Sequence, residues 1–448
     1  MSNYWNRLIV TFFVALGVVT FSFAQPKLNS PYSRIGLGDI NIQNFASLSG
    51  MAGISAAYHD PFNMNILNPA SYSYLEATSF ELGLDIRRSY LSSQGATAGI
   101  WSGNLSYFSL GFPLKNPINR EANPVKSNTW WAMNFSLLPY SNVGYNIQTT
   151  EDDPEIGQIL YDFQGSGGTF KVHWGNSFRY KNFSVGLNLG YLFGKISNDR
   201  EVNFPDVEVG YIDLLNDEFS VGGFVWNIGF QYDIVFEKMG DDGKLKPDGR
   251  KLTFGLYGNT ANNIGINTSQ FYRRLSPGYS SSNTVVRDTI RAFNDIEVSG
   301  KLPSEIAFGV SYSKDFKWRY GIDFTFAGWG SYVNEAKPEN LSNTWRIAVG
   351  GEFTPNARSY NRYFEKVAYR YGLFYGKDPR GLDINLVNYG VTFGMGMPII
   401  LKNQTSFVNW SVEIGQLGAS NALRETYVNF TLGFTLNNRN WFLKRKFY

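Results

Sequence analysis

The stretch Phe183-Ser184-Val185-Gly186-Leu187-Asn188-Leu189-Gly190-Tyr191 decides the fold, because apolar residues alternate in it without a break with small or polar residues. This period-two alternation predicts a β-strand with one apolar face and one polar face. The pattern recurs at residues 80–87, 226–234 and 428–436. In each copy the apolar face carries aliphatic or aromatic side chains, and the charged side chains are confined to the other face.

The alternation repeats along most of the chain. About fourteen segments carry it, near residues 77–90, 103–114, 130–146, 168–180, 182–197, 219–237, 251–260, 304–314, 317–330, 344–354, 366–377, 386–399, 407–417 and 425–437. An even number of roughly ten-residue alternating strands is typical of an outer-membrane barrel. We therefore predict an all-β, transmembrane antiparallel β-barrel of about 14 strands. A soluble β-sandwich or propeller is the alternative, but its strands would need polar outward faces.

The lengths of the connections agree with the barrel. If both termini lie in the periplasm, the short connections at 181–182 and 315–316 fall on the inner side of the membrane. The two long connections, near 198–218 and 261–303, then fall outside, as expected for outer-membrane barrels. Aromatic residues cluster at predicted strand ends, where interfacial girdles are expected: Trp130, Trp131, Trp318, Trp345 and Trp441.

Composition excludes several classes of protein. The 448 residues include no cysteine, which excludes disulfide scaffolds, Cys-ligated zinc and thiol nucleophiles. A net charge of +3 gives no electrostatic reason to expect a nucleic-acid partner. No zinc spacing or phosphate-binding glycine motif is present, and no motif isolates a nucleophile. We predict no enzymatic activity, no cofactor and no metal.

The two ends of the chain lie outside the predicted barrel. Residues 1–24 have an apolar run and small residues before Gln25, the pattern of a cleaved secretory signal, with a single membrane anchor as the alternative. Residues 25–75 are poor in charge and contain a small-residue stretch at 45–58. We expect them to fold into the lumen as a plug, the alternative being a disordered periplasmic tail. The barrel would span 76–437, and 438–448 would be a short basic periplasmic tail.

Short motifs resemble one known family, the FadL-type outer-membrane transporters of hydrophobic compounds. The step Asn68-Pro69-Ala70 resembles the end of that family's N-terminal hatch. The segment 302–312, which contains Leu-Pro-Ser-Glu and Gly-Val-Ser-Tyr, resembles one of its later strands, as do 369–373 and 389–394. The stretch 30–38 is similar to proteins of the Bacteroidetes branch, which includes PorV-like barrels of type IX secretion.

The resemblance implies a hatch that gates passive diffusion of long-chain fatty acid-like or aromatic compounds. It assigns the hatch and the ligand path to Phe62, Met64, Ile66, Leu67, Asn68, Pro69 and Ala70. The expected partners are outer-membrane lipids and a hydrophobic small-molecule ligand. A PorV-like accessory that binds a protein through its extracellular loops is the alternative, and a general diffusion porin is a third reading.

Alternation also places charged and ionisable side chains on the inward face. The candidate lumen residues are Arg87, Lys171, His173, Arg179, Arg319, Arg346 and Arg370. A salt-bridge ladder between strands is one interpretation, since lumen charges beside a plug must be paired or hydrated. The other interpretation is that one of these cations binds the carboxylate of a ligand.

Overall fold

The protein is an antiparallel β-barrel that encloses the first described part of the chain. The computed structural model describes residues 30–93, 96–115, 128–207, 211–239, 243, 245–277, 284–381, 384–401, 404–419 and 423–439. The predicted export signal, residues 1–24, lies outside the described residues, and so do residues 440–448 of the predicted basic tail.

Eighteen strands are described. They are β1 Asp39–Ile40, β2 Thr78–Ser93, β3 Ala96–Pro113, β4 Thr129–Asp153, β5 Gly157–Tyr180, β6 Phe183–Asn203, β7 Ile212–Met239, β8 Leu245–Asn259, β9 Asn262–Pro277, β10 Thr284–Leu302, β11 Glu305–Lys314, β12 Trp318–Ala327, β13 Val333–Asn334, β14 Thr344–Phe353, β15 Ala368–Lys377, β16 Val387–Leu401, β17 Gln404–Gly418 and β18 Arg424–Asn438. The barrel closes where β18 pairs with β2. We call the end where β2 begins and β18 ends the terminal end, and the opposite end the loop end.

The barrel wall has fourteen strands, which confirms the predicted fold class. β9 continues the path of β8 towards the loop end, and β11 continues the path of β10 towards the terminal end. β8 with β9, and β10 with β11, therefore each form one interrupted wall strand. The short strands β1 and β13 are not wall strands. Every predicted alternating segment coincides with a wall strand.

The two long connections differ from the prediction. Residues 262–277 and 284–302 form the paired strands β9 and β10, and β6 and β7 occupy most of 198–218. In β10 most described side chains are exposed, and at the ends of β6 and β7 most are half-buried on both faces, so no burial contrast is imposed there. Residues 263–268 of β9 do alternate between exposed and buried side chains, and the prediction missed them. The predicted segments therefore cover only parts of the strands in which one face is buried.

Outward apolar side chains form a belt around the barrel, represented by Leu84, Phe135, Trp174, Leu187 and Phe324, which are all exposed. Wall strands β11, β12, β14 and β15 have 10 residues each, close to the roughly 9–11 that span a bilayer. By contrast, β4, β5 and β7 have 25, 24 and 28 residues. Their loop-end halves, with β6, β9 and β10, must project beyond the belt, and we call them the projecting sheet.

A gap interrupts the wall between β3 and β4. These strands pair only from Phe108 with Leu137 to Pro113 with Ala132. Beyond Phe108 towards the loop end, the described part of β3 pairs only with β2, and β4 remains paired with β5. Leu105 and Trp101 of β3 face outward beside the gap and are exposed. The gap therefore begins at the level of the apolar belt.

Residues 30–75, which we call the inner segment, run through the lumen from the loop end to the terminal end. Near the loop end the hydroxyl of Tyr32 donates to the carbonyl of Leu423, and β1 pairs with β4 at Ser141–Asn142. The 3-10 helix Pro69–Tyr74 packs on β5 and β6, close to the start of β2. Only Ala46–Ser49 of the small-residue stretch 45–58 is α-helical. No helix among the described residues is long and apolar enough to cross a membrane.

Candidate functional site

A cavity of about 410 Å³ lies between the inner segment and the barrel wall. Ile100 and Ser102 line it on the β3 side of the gap, and Tyr140 and Asn142 line it on the β4 side. Ile42 of the inner segment also lines it and is half exposed. The cavity therefore reaches the gap in the wall, with the inner segment beside the opening.

In the middle of the lumen, one buried carboxylate holds the inner segment. The Oδ2 atom of Asp323, on β12, accepts hydrogen bonds from the backbone N–H groups of Ser55 and Ala56 at 2.5 and 2.8 Å. On the opposite side of the chain, the carboxylate of Glu81 on β2 accepts the N–H of Met64 at 2.7 Å. Barrel side chains thus satisfy backbone donors that the irregular segment cannot satisfy itself.

The Asn68-Pro69-Ala70 step is fixed against two wall strands. The side chain of Asn68 caps the 3-10 helix by accepting the N–H of Ala70 at 3.1 Å, and it donates to the carbonyls of Ala56 at 2.6 Å and Phe230 at 3.2 Å. A methyl group at Gly186 would overlap the backbone of Pro69, and one at Gly229 would overlap the Asn68 side chain. Glycine at these two positions therefore permits the close approach of the step to β6 and β7.

At the loop end, the connections between β15 and β16 and between β12 and β14 bind the inner segment. Arg380, between β15 and β16, binds Asp39. In the connection between β12 and β14, Glu339 accepts the backbone N–H of Gly36. Trp329, Tyr332 and Leu341 of the same connection join a buried apolar cluster that includes Leu37. Packed side chains around Leu37 therefore occupy part of the loop end.

The predicted path residues have different surroundings. Ile66 and Leu67 line the cavity, and their carbonyls accept hydrogen bonds from Asn188 and Asn227. Met64 is buried in a cluster with Phe45, Leu75 and other side chains against the wall, and Phe62 lies beside Phe407 with the ring centroids 6.1 Å apart. The geometry brings part of the predicted path to the cavity and packs the rest against the wall.

Four of the predicted lumen residues line the cavity: Arg87, Lys171, His173 and Arg346. Arg87 pairs with Glu425 at 2.8 Å, and Arg346 donates to the carbonyl of Ala52 at 2.9 Å. The ammonium of Lys171 lies 4.0 Å from the ring centroid of Tyr140. His173 is 7% exposed, and neither of its ring nitrogens has a hydrogen-bond partner in the part of the chain that the structure describes.

The other three lie away from the cavity lining. Arg370 pairs with Glu352 on the neighbouring strand at 2.7 Å, as a cross-strand ladder requires. Arg319 donates to the carbonyl of His59 at 3.0 Å, so it holds the inner segment. The guanidinium of Arg179 stacks on Tyr74 and Trp130.

Three features of the site could not be predicted from the sequence. Asp39 lies in the two-residue strand β1 and Arg380 in the 3-10 helix Pro379–Gly381, both too short for alternation to give a signal, and the two residues are 341 positions apart. The wall gap depends on how far β3 and β4 stay paired, which the composition of neither strand reveals. The amide side chains of Asn41, Asn44 and Asn227, which also line the cavity, carry no sequence motif.

Comparisons with solved structures show the same fold. A Pseudomonas aeruginosa FadL homologue aligns with a TM-score of 0.56 at 12% identity, over 89% of this chain and 99% of that one. The Ralstonia pickettii toluene transporter TbuX aligns with 0.54 at 12% identity, over 89% and 99%. The CymD monoaromatic hydrocarbon channel aligns with 0.53 at 12% identity, over 90% and 98%.

The comparison with family models gives a match along nearly the whole chain. A model described as BamG matches residues 6–448. No curated protein matches the chain. The resemblance seen in the short motifs is therefore confirmed at the level of fold.

Proposed function

The chain belongs to the BamG family, and from this premise we propose that it is an outer-membrane barrel that passes lipophilic compounds sideways between its lumen and the bilayer. The main support for this proposal is the gap between β3 and β4, through which the cavity would open at the level of the apolar belt. An unpaired strand edge in hydrocarbon is unfavourable, because its backbone polar groups find no partner there. We therefore infer that the opening is kept because it has a function.

In this proposal the terminal end faces the periplasm and the loop end faces outward. Residues 1–24 direct export and are removed. Residues 25–75 are a hatch, 76–437 the membrane barrel and 438–448 a periplasmic tail. The solved relatives support the substrate class through their descriptions as a toluene transporter and a monoaromatic hydrocarbon channel.

The inner segment is the gate in this mechanism. The side chains packed around Leu37 and the fixed Asn68-Pro69-Ala70 step obstruct parts of the straight route through the barrel. Ile42, beside the gap, is held by backbone pairing of β1 with β4 next to it. A ligand that enters the cavity meets Ile66 and Leu67 and leaves through the gap when residues 39–44 shift.

The test is a pair of bulky substitutions on one strand. Ser102→Trp fills the cavity beside the gap, whereas Gly103→Trp adds the same ring to the outward face of β3, where Gly103 is exposed and has open space. We expect Ser102→Trp to slow uptake of radiolabelled toluene and oleate by cells at least tenfold, and Gly103→Trp to leave it unchanged. Equal uptake by both variants, at equal amounts of folded barrel, would exclude the lateral route.

The hatch role has its own test. Replacing Asn68-Pro69-Ala70 by Gly-Gly-Gly removes the cap and the contacts with β6 and β7. We expect altered uptake of at least one lipophilic compound. Unchanged uptake of every compound tested would show that this step is not part of a gate.

A second candidate function, a PorV-like accessory that binds a protein, is favoured by the projecting sheet. Its edge strand β10 carries the exposed side chains Val286 and Ile290. Exposed apolar residues on an unpaired edge are typical of a surface that another chain covers. Extraction in mild detergent separates the candidates: a stoichiometric protein that dissociates from an Ile290→Glu variant supports the accessory, and a bound lipophilic compound supports transport.

A further inference from the structure

The cavity is rich in amide side chains, which is unusual for a site that takes purely apolar compounds. Small-molecule pockets of about 300–1,000 Å³ are mostly lined by hydrophobic and aromatic residues. Here Asn41, Gln43, Asn44, Asn227 and Asn429 all line a single cavity. This lining suits a ligand that has a polar part as well as an apolar one.

Several polar atoms of these lining residues are buried and have no hydrogen-bond partner among the described residues. The donors are Nδ2 of Asn41 and Nε2 of Gln43, and the acceptors are Oδ1 of Asn44, Asn227 and Asn429. Buried polar groups are normally hydrogen-bonded, and unmade bonds cost free energy. Donors and acceptors together require a partner that both donates and accepts.

His173 is an independent observation on the same wall. More than nine-tenths of its surface is buried, it lines the cavity, and no described residue hydrogen-bonds to either ring nitrogen. A neutral imidazole has one donor and one acceptor nitrogen. His173, like the amides, therefore needs a partner that both donates and accepts hydrogen bonds, although it lies on a different strand.

The charges around the cavity disfavour an ionic ligand. Arg87 is paired with Glu425, and Asp323 is held by backbone N–H groups of the inner segment. Lys171 and Glu305, of opposite sign, both line the cavity. A neutral head therefore fits better than an anion or a cation, and a hydroxyl group both donates and accepts.

We propose that the cavity binds the hydroxyl-rich, uncharged head of an amphipathic lipid, a glycolipid, whose hydrocarbon tail lies in the gap between β3 and β4. The inference rests on the lateral route of the proposed function and names its substrate class. The head enters from the bilayer, because the gap begins at the level of the apolar belt, and hydrogen-bonds to His173 and the cavity amides. The tail remains beside Leu105 and Trp101, which face outward at the gap.

The test compares three amphipaths with the same twelve-carbon tail. Full-length protein in amphipol is mixed with equal amounts of dodecyl maltoside, dodecanoate and dodecylphosphocholine, and the retained compounds are measured by mass spectrometry. We expect dodecyl maltoside to be retained at least tenfold more than either of the others. Equal retention, or preference for dodecanoate, would overturn the proposal.

Matched histidine variants locate the site. His173→Phe keeps a ring of similar shape but removes both nitrogens, and we expect about a tenfold loss of dodecyl maltoside retention. His59→Phe is the control, because His59 lies against Asp233 and Tyr74 rather than on the cavity lining. If His173→Phe retained as much dodecyl maltoside as the unmodified protein, the assigned site would be wrong.

Two further measurements distinguish a lipid from a soluble saccharide as the ligand, and failure of this inference from failure of the proposed function. Free maltose should bind at least a hundredfold more weakly than dodecyl maltoside, and equal binding would show a site for soluble saccharides instead of a lipid. The proposed function fails if Ser102→Trp leaves uptake of toluene and oleate unchanged. This inference fails alone if uptake responds to Ser102→Trp while the three amphipaths are retained equally.

Discussion

The guanidinium of Arg380 binds the carboxylate of Asp39, which joins the connection between β15 and β16 to the inner segment. Arg380 also binds Asp378 of its own connection, with both contacts at 2.8 Å. Its side chain is only 7% exposed, so the pair is shielded from solvent. This contact fixes the start of β1 and, with it, the residues beside the wall gap.

Arg380→Met should loosen the loop end of the inner segment. Removing one partner of a buried ion pair leaves the other charge unpaired, at a cost of about 3–5 kcal/mol. We expect a cysteine placed at Ile42 to react several times faster with a maleimide in the Arg380→Met background. Single-barrel conductance in planar bilayers should also rise.

The matched control is Arg362→Met. Arg362 pairs with Glu365 at 3.1 Å on the surface, where ion pairs contribute little. Its labelling rate and conductance should equal those of the unmodified barrel. If Arg380→Met behaved in the same way, the Asp39 contact would have no part in holding the segment.

Gly186→Ala and Gly229→Ala should destabilise the seat of the Asn68-Pro69-Ala70 step. The added methyl groups overlap the Pro69 backbone and the Asn68 side chain, and overpacking of this kind costs about 1–3 kcal/mol. Urea unfolding followed by tryptophan fluorescence measures the loss. Gly103→Ala, which meets only one backbone oxygen at 3.7 Å, should unfold like the unmodified protein.

Asp323→Ala should release the middle of the inner segment while the barrel stays folded. The substitution leaves the N–H groups of Ser55 and Ala56 without their acceptor, at about 1–3 kcal/mol for each buried donor. We expect faster protease cleavage within residues 50–60, with an unchanged folded band in unheated gels. Asp315→Ala, at an exposed pair with Lys251, is the control. Equal cleavage in both variants would contradict the anchoring role.

Stability should fall on acidification through His59. Burial lowers the pKa of His59 to about 3, outweighing the opposite effect of Asp233. The unfolded chain takes up a proton at this side chain near pH 6.5 and the folded chain does not, so His59 alone lowers the free energy of unfolding by roughly 1.4 kcal/mol per pH unit between about 6 and 3. Urea midpoints from pH 7 to 4 measure this slope. It should be smaller in His59→Phe, and an identical slope would refute the assignment.

The number and position of the wall strands could be predicted from the sequence because their signal is local. The alternation in 183–191 places Leu187 outward and Asn188 inward whatever the neighbouring strand is, and Asn188 indeed donates to the inner segment. The same rule placed His173 and Arg346 at the lumen cavity. Where burial imposes no contrast, as in most of β10, the local signal is lost.

The sequence by itself determined the fourteen-strand alternation and the inward or outward direction of most residues in the predicted segments, because a strand's side chains alternate with period two. Only the tertiary structure decided where β3 parts from β4, which carbonyls Asn68 reaches and that Asp39 meets Arg380. These relationships join residues far apart in the chain. Their distances depend on how the closed barrel is paired and on how the inner segment packs within it, and neither is encoded in any one stretch.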